Sequence, residues 1–184
     1  MNETPKLETD RLILEPMHIR HVTRQYLGWL NDPEVCKYLE TPFPYKMQEL
    51  KSYVENMTNK NVFFWAVILK YKNTHIGNIK IELNNSKLGE FGILFGEKTH
   101  WGKGYAQESS RKVFSFCFDS LQLRKINLGV VKDNYAAIKL YSNLGFETEG
   151  TYRMHGKYDG RYCDVLRMSL FNENDPEVRI YLGI

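Results

Sequence analysis

Cysteine, proline and long apolar runs are all scarce in this chain of 184 residues, and charge of neither sign dominates. The three cysteines, Cys36, Cys117 and Cys163, lie far apart, and none belongs to a C-x-x-C pair. An odd count without paired spacing excludes a disulfide framework and a thiolate zinc site, and it suits reduced thiols in a cytosolic protein. Cys117 falls inside the apolar stretch Val113 to Phe118 and reads as core. No apolar run approaches the ~18 residues a membrane helix needs, and the polar N-terminus lacks the apolar stretch of a signal peptide. The expectation is a cytoplasmic protein with no membrane partner. The 25 basic and 22 acidic residues are well mixed and leave a net charge of +3, so no basic stripe points to nucleic acid. Hydrophobic residues at 42% and charged residues at 26% describe a single ordinary domain over residues 1–184 with a real core. Aromatics, at 14%, are somewhat high and are read as core packing.

What the chain does have is a glycine-rich turn in a telling place. His100-Trp101-Gly102-Lys103-Gly104-Tyr105-Ala106-Gln107-Glu108 follows a strand-like run, Phe91 to Phe95, and opens a helical run lasting to about Leu121. Such a turn exposes backbone N–H groups at a helix N-terminus, where orphan donors and the positive end of the helix dipole both favour phosphate. It is not a nucleotide P-loop. That motif, G-x-x-x-x-G-K-S/T, needs a hydroxyl for magnesium, whereas here five residues separate Gly96 from Gly102 and Gly104 occupies the hydroxyl position. Nor is it the dinucleotide fingerprint, because the third glycine is replaced by Gln107. The bland alternative is an ordinary strand-to-helix turn using glycine for positive φ.

A second segment adds weight. After a strand from Ile126 to Val131 comes a cap at Asp133 or Asn134, a short helix through Tyr141, Gly145 as the residue that ends it, and another strand. Together the two segments resemble the GNAT superfamily of N-acetyltransferases. The pyrophosphate loop of that family, Q/R-x-x-G-x-G/A, falls on Trp101, Gly104 and Ala106, with Trp101 departing from the usual Gln or Arg. Its N-x-x-A-x-x-x-Y-x-x-x-G-F segment is matched by Asn134, Ala137, Tyr141, Gly145 and Phe146. The W-G-K-G-Y-A form, and the opening Leu7 to Leu14 with its "ET-x-RL-x-L" look, resemble the branch that includes the ribosomal-protein and spermidine acetyltransferases. Asn31 to Val35, His75 to Ile79 and Glu149 to Arg153 fit the same likeness.

The elements read from the sequence agree with that family. Arg11 to Pro16 is a strand, His18 to Leu30 and Met47 to Thr58 are helices, and Asp32 to Tyr45 is a proline-containing loop. Val62 to Leu69 is apolar throughout and reads as a strand buried on both faces. Strands follow at His75 to Leu83 and Gly89 to Phe95, and the last runs from Tyr162 to Phe171. Ser110, Val113, Phe114, Cys117 and Leu121 form the core stripe of the 106–121 helix. The residues from Asn172 are polar and read as a loose tail. The resemblance implies an α/β (α+β) fold, a single mixed, twisted sheet of about seven strands flanked by about four helices. Two of its strands, Phe91–Phe95 and Ile126–Val131, would splay into an acetyl-CoA slot.

It implies a chemistry as well. Acetyl transfer from a thioester to an amine needs a neutral amine, a donor for the developing oxyanion and a proton for the leaving thiolate. A primary amine has a pKa near ~10 and a thiol near ~8.5, so weak acids and bases suffice, with no covalent intermediate and no metal. By the resemblance, acetyl-CoA is the co-substrate, Tyr141 the general acid, and Glu90 the base through water, with Glu97 and His75 as lesser candidates. Backbone at Leu94 and Phe95 would hold the thioester and pantetheine. Gly102, Lys103, Gly104, Tyr105 and Ala106 would hold the pyrophosphate, Asn134 the pantetheine arm, and Lys139 or Arg111 a CoA phosphate. Trp29, Asp32, Glu34, Tyr38, Glu40, Tyr45, Arg153, His155, Tyr158, Asp159 and Asp164 would line the acceptor pocket. Their mixed charges and tyrosines suit a small amine acceptor, an amino sugar or sugar nucleotide first. Protein N-termini, polyamines and aminoglycosides stay open, as does a non-catalytic acyl-CoA sensor, and a homodimer is compatible.

Overall fold

The computed structural model describes residues 3–39, 44–58, 61–84, 87–158 and 160–184. Eight strands form one sheet: β1 (Leu7–Glu8), β2 (Leu12–Pro16), β3 (Val62–Leu69), β4 (Thr74–Asn84), β5 (Leu88–Leu94), β6 (Lys125–Val131), β7 (Glu147–Tyr158) and β8 (Arg161–Phe171). Their spatial order is β1-β2-β3-β4-β5-β6-β8-β7. The expected count of seven rises to eight because Leu7 and Glu8 pair with Leu14 and Ile13. Six α-helices accompany the sheet among the described residues, against about four expected: α1 (Arg24–Leu30), α2 (Pro33–Cys36), α3 (Met47–Thr58), α4 (Tyr105–Ser115), α5 (Tyr135–Asn143) and α6 (Pro176–Leu182). One of the extra two is the single turn α2 inside the expected loop, where Asp32 accepts from the backbone N–H of Glu34 and Val35 and Pro33 opens the helix. The other is α6, which forms where the sequence reads as a loose tail. Asp175 caps it, and the buried Asn172 side chain donates to the Leu123 carbonyl at 2.9 Å.

All eight residues of β3 are buried, as its unbroken apolar sequence predicts. One face packs Leu12, Leu14, Trp65, Val67, Ile79, Ile81, Phe91 and Leu128 against Val113, Phe114, Tyr141 and Leu144 of α4 and α5. The other packs Phe64, Ala66 and Ile68 against Tyr26, Trp29, Leu50 and Val54 of α1 and α3. The expected helix at His18–Leu30 is broken: a 3-10 turn at Ile19–His21 precedes α1, which starts afresh from a Thr23 cap. The α4 stripe is core as read, with Ser110, Val113 and Cys117 fully buried. Beyond Ser115 the helix widens into a π-turn over Phe116–Ser120 before β6 begins.

Six pairs of neighbouring strands are antiparallel, and β5 with β6 makes the one parallel pair of the described sheet. A parallel neighbour requires a crossover connection, and α4 supplies it. This pairing is short, linking Leu88, Gly89 and Glu90 to Lys125, Ile126 and Asn127. Past Glu90 the two strands part: β5 stays with β4 as far as Leu94, while β6 stays with β8 as far as Val131. The expected splay is therefore a fork beginning at Phe91 and Leu128.

Close contact shapes the end of β5. Trp29 of α1 lies flat on Gly96, where an added Cβ would come within 2.1 Å of the indole. The same indole meets the His75 ring at 4.9 Å and Tyr26 at 5.6 Å, so it has no room to yield. Gly96→Ala should therefore cost about 3 kcal/mol of unfolding free energy, the upper range for overpacking a filled core, as read by urea denaturation. A cost below about 0.5 kcal/mol would show that Trp29 can move aside.

Candidate active site

Two helices aim at the fork. Helix α4 begins at Gly104, which has φ +80 and no side chain with which to cap the helix. The first backbone bond of the helix runs from Glu108 N–H to the Gly104 carbonyl, so the N–H groups of Tyr105, Ala106 and Gln107 precede the internal ladder. Gly102 also has positive φ, +71, and a Cβ there would meet nothing within 4 Å. The loop thus holds two left-handed glycines at the positive end of a helix, Gly102 beside open space and Gly104 with its Cβ position 3.5 Å from the Arg11 guanidinium, a shape that accepts phosphate. Lys103 is exposed, and Tyr105 is half-buried with the Arg11 guanidinium 4.4 Å above its ring. Trp101, the departure from the family pattern, folds back so that its indole N–H donates to the Phe95 carbonyl at 2.7 Å, joining the loop to the end of β5. Leu94 and Phe95 approach Gly77 of β4, where a Cβ would sit 2.5 Å from the Leu94 carbonyl oxygen.

Helix α5 supplies the second element. Asn134 caps it by accepting from the Ala137 N–H at 3.2 Å, and the helix ends on Gly145 at φ +94. Phe146 N–H reaches back to the Tyr141 carbonyl and Gly145 N–H to that of Ser142, the paired bonds of a glycine stop. Tyr141 is 8% exposed, and its ring meets Phe91, the first β5 residue beyond the paired stretch, edge-on at 6.2 Å. Burial pushes its hydroxyl up to about 12, so it keeps its proton at neutral pH. Lys139 is exposed on the same helix. Arg111 donates to the Asn143 carbonyl at 3.0 Å and ties α4 to the end of α5.

Glu90 stands at the crotch of the fork, opposite Asn127. Both of its carboxylate oxygens accept from Arg167 of β8, each at 2.7 Å. The Arg167 side chain reaches β5 by crossing Gly129 of β6, where a Cβ would lie 3.1 Å from the guanidinium. Glu90, the expected base through water, is thus one half of a forked ion pair. Sequence reasoning missed Arg167, which stands on the same face of β8 as Val165 and Ser169. Nearby, the Ser169 hydroxyl donates to Glu149 at 2.6 Å and lies 2.9 Å from the Asn127 side chain, and Lys125 holds Glu149, extending a polar network along this side of β6 and β8.

The lesser bases are engaged elsewhere. Glu97 accepts from Thr99 and Gln25, and the Thr99 hydrogen bond leads the effects that hold it below the usual carboxylate range. His75 donates from Nε2 to Asn78 Oδ1 and to the Gly77 carbonyl and packs among Trp29, Tyr26 and His21. Burial drives its pKa down to about 4, so it is a core imidazole, neutral in the fold. The unfolded chain binds this proton near pH 6.5 and the folded one only near 4, so the stability it contributes is complete above 6.5 and lost as pH falls. Wild-type protein should lose about 2 kcal/mol from this residue between pH 7.5 and 5, and His75→Gln should flatten the dependence by that amount in urea titrations. An unchanged slope would mean the ring is not buried neutral.

Of the expected acceptor-pocket residues, Trp29 is core, and Asp32 and Glu34 both bind Lys98, at 2.7 and 3.0 Å. Tyr38 donates to the Asp133 carbonyl at 3.1 Å, joining the segment after α2 to the end of β6. Asn31 grips the Tyr45 backbone on both sides, donating to its carbonyl and accepting its N–H. Asp164 accepts from Met154 N–H and faces Lys132 at 3.8 Å. Arg153 and His155 lie exposed on β7, and Tyr158 fills the space above Gly156. Glu40 and Asp159, with the Pro42 loop, lie outside the described residues.

A sheet that forks, with a glycine-led helix N-terminus tied to the end of β5 through Trp101, is a layout compatible with a CoA-dependent acyltransferase. The acetyltransferase (GNAT) domain matches residues 11–147, and the chain belongs to this family. A Bacillus licheniformis protein named as the uncharacterized N-acetyltransferase p20 is 32% identical over 89% of this chain and 94% of its own length. Spermidine N(1)-acetyltransferase of Vibrio cholerae is 32% identical over 75% of the chain and 80% of its own. The crystal structure of spermidine N-acetyltransferase from Vibrio cholerae in complex with CoA and spermine superposes with a TM-score of 0.80 at 26% identity, covering 90% of this chain and 98% of that one. This protein is therefore an acetyl-CoA-dependent N-acetyltransferase with the GNAT fold. Among its described residues no helix is long and apolar enough to cross a membrane.

Proposed function

We propose that the protein acetylates a small primary amine, an amino sugar or sugar nucleotide, by direct attack on acetyl-CoA held in the fork. The observation that carries the donor side is the parting of β5 and β6 immediately after Glu90, with Tyr141 and the α4 N-terminus flanking the gap. In this reading the backbone of Gly102 to Ala106 takes the pyrophosphate, Leu94 and Phe95 take the pantetheine and thioester, and Asn134 borders the arm. Lys139 meets a CoA phosphate. The amine attacks the thioester carbon, the carbonyl oxygen gains charge, and the C–S bond breaks as Tyr141 gives its proton to the sulfur. A buried tyrosine suits this task, because the thiolate departs into the same desolvated space, where its own basicity is raised. The amine proton leaves through water beside the Glu90–Arg167 pair.

Charge balance supports an acceptor that is not a polycation. Binding several ammonium groups calls for carboxylates with charge to spare. Among the described residues on the acceptor side, Asp32 and Glu34 share Lys98 and leave one negative charge over, while Glu90 is matched by Arg167 and Asp164 faces Lys132, a balance that suits a monoamine better than a polycation. A polyamine is the second reading, because a spermidine acetyltransferase is among the relatives. Thiol release from acetyl-CoA against amino-sugar nucleotides, aminoglycosides, polyamines and short peptides separates them. Release with amino sugars alone supports the first reading, and release with spermidine alone replaces it.

A further inference from the structure

The turn between β1 and β2 reaches across to the phosphate loop, and the bonds it makes there have a direction. Glu108, in the first turns of α4, accepts from the Thr9 hydroxyl, from the Arg11 backbone N–H at 3.1 Å and from Arg11 Nε at 2.6 Å. Thr9 is itself fixed, because its hydroxyl also accepts from Leu12 N–H at 3.0 Å. Arg11 then donates a second arm, from Nη1 to the Lys103 carbonyl at 3.1 Å, and lays its guanidinium over Tyr105. In a trans peptide the carbonyl and the following N–H point in opposite directions. Holding the Lys103 carbonyl outward therefore turns the Gly104 N–H toward the other side of the loop. That loop, with two left-handed glycines, would otherwise be free to rotate.

We propose that Thr9, Arg11 and Glu108 form a clasp that presets the phosphate loop, with Arg11 as a positioning residue for the pyrophosphate-bearing half of the donor. The clasp rests on the acetyl-CoA reading of the site. Arg11 acts here through its forked shape. Its charge is already matched by Glu108, with Nη2 to carboxylate at 2.6 Å, so it is a weak attractor of phosphate on its own. Lysine carries the same charge but cannot span the Glu108 carboxylate and the Lys103 carbonyl with one planar group.

The test is CoA affinity by calorimetry, set beside S-acetylpantetheine, which lacks the pyrophosphate, by ligand-observed NMR. Arg11→Lys and Arg11→Ala should each weaken CoA at least tenfold while the ratio of CoA to S-acetylpantetheine affinity falls by the same factor. Glu108→Ala should also weaken CoA, although it removes a negative charge beside an anion site. Three results would overturn the clasp: wild-type affinity in Arg11→Lys, tighter CoA binding in Glu108→Ala, or equal losses for both ligands, which would mark general loosening of the fold. A wild-type protein that binds no CoA would overturn the donor reading itself, and the clasp with it.

Discussion

Tyr141→Phe should lower kcat by about a hundredfold, the lower range for loss of a general acid, and leave the Kd for acetyl-CoA within twofold of wild type. The substitution removes one oxygen and keeps the ring between Phe91 and Phe146, so packing is preserved. Without that proton the thiolate must leave uncompensated or borrow one from water, and the penalty falls on the transition state alone. Because the hydroxyl sits near 12, its titration lies above the working range, and the loss should hold across neutral pH. Steady-state kinetics with calorimetry provide the check. Turnover equal to wild type at every pH would remove Tyr141 from the reaction.

Gly104→Val should abolish measurable CoA binding, a loss above a hundredfold, for two separable reasons. A residue with φ +80 is left-handed, which costs an L-residue about 1–2 kcal/mol and a β-branched one more. The new side chain also stands at the mouth of α4, 3.5 Å from Arg11 at its Cβ alone, where the loop would meet phosphate. Gly104→Ala separates the two, since it carries most of the backbone penalty with little of the bulk. Its CoA affinity should fall between those of wild type and Gly104→Val. Tight binding by the valine protein would refute the loop assignment.

The geometry of the proposed donor half was legible in the sequence because it is local. A strand, two glycines and a helix lie within a dozen residues, and the Asn134 to Phe146 segment encodes its own cap and stop, so spacing alone carries the geometry. The acceptor half is assembled from distant segments, and there the sequence did not disclose the partners of the residues it named. Glu90 reads as a free carboxylate until the β6–β8 register brings Arg167 across Gly129 to meet it. Trp29 reads as a pocket wall, but the close approach of Gly96 makes it core. Arg11 stood inside a recognised opening motif, yet its partner is 97 positions away. Polar partners chosen by tertiary register leave no periodic trace, whereas apolar stripes do. That is why β3 and the α4 core could be read and the ion pairs could not. The C-terminal helix was missed for a smaller reason: its Asp175-Pro176 start is a good cap and N1 pair, but mostly polar neighbours hid it.

Among the described residues three register pairs join β5 to β6, and the Glu90–Arg167 fork is the rivet placed where they stop. The sheet is in effect two panels, one of five strands and one of three, hung on a short seam with α4 as the strap behind it. A donor lying in the gap supplies the rungs that the seam lacks. Substrate is then also a structural part, and at a hundred times its Kd it would add about 2.7 kcal/mol to the fold. The short parallel seam of the sheet and the place proposed for the chemistry are one and the same.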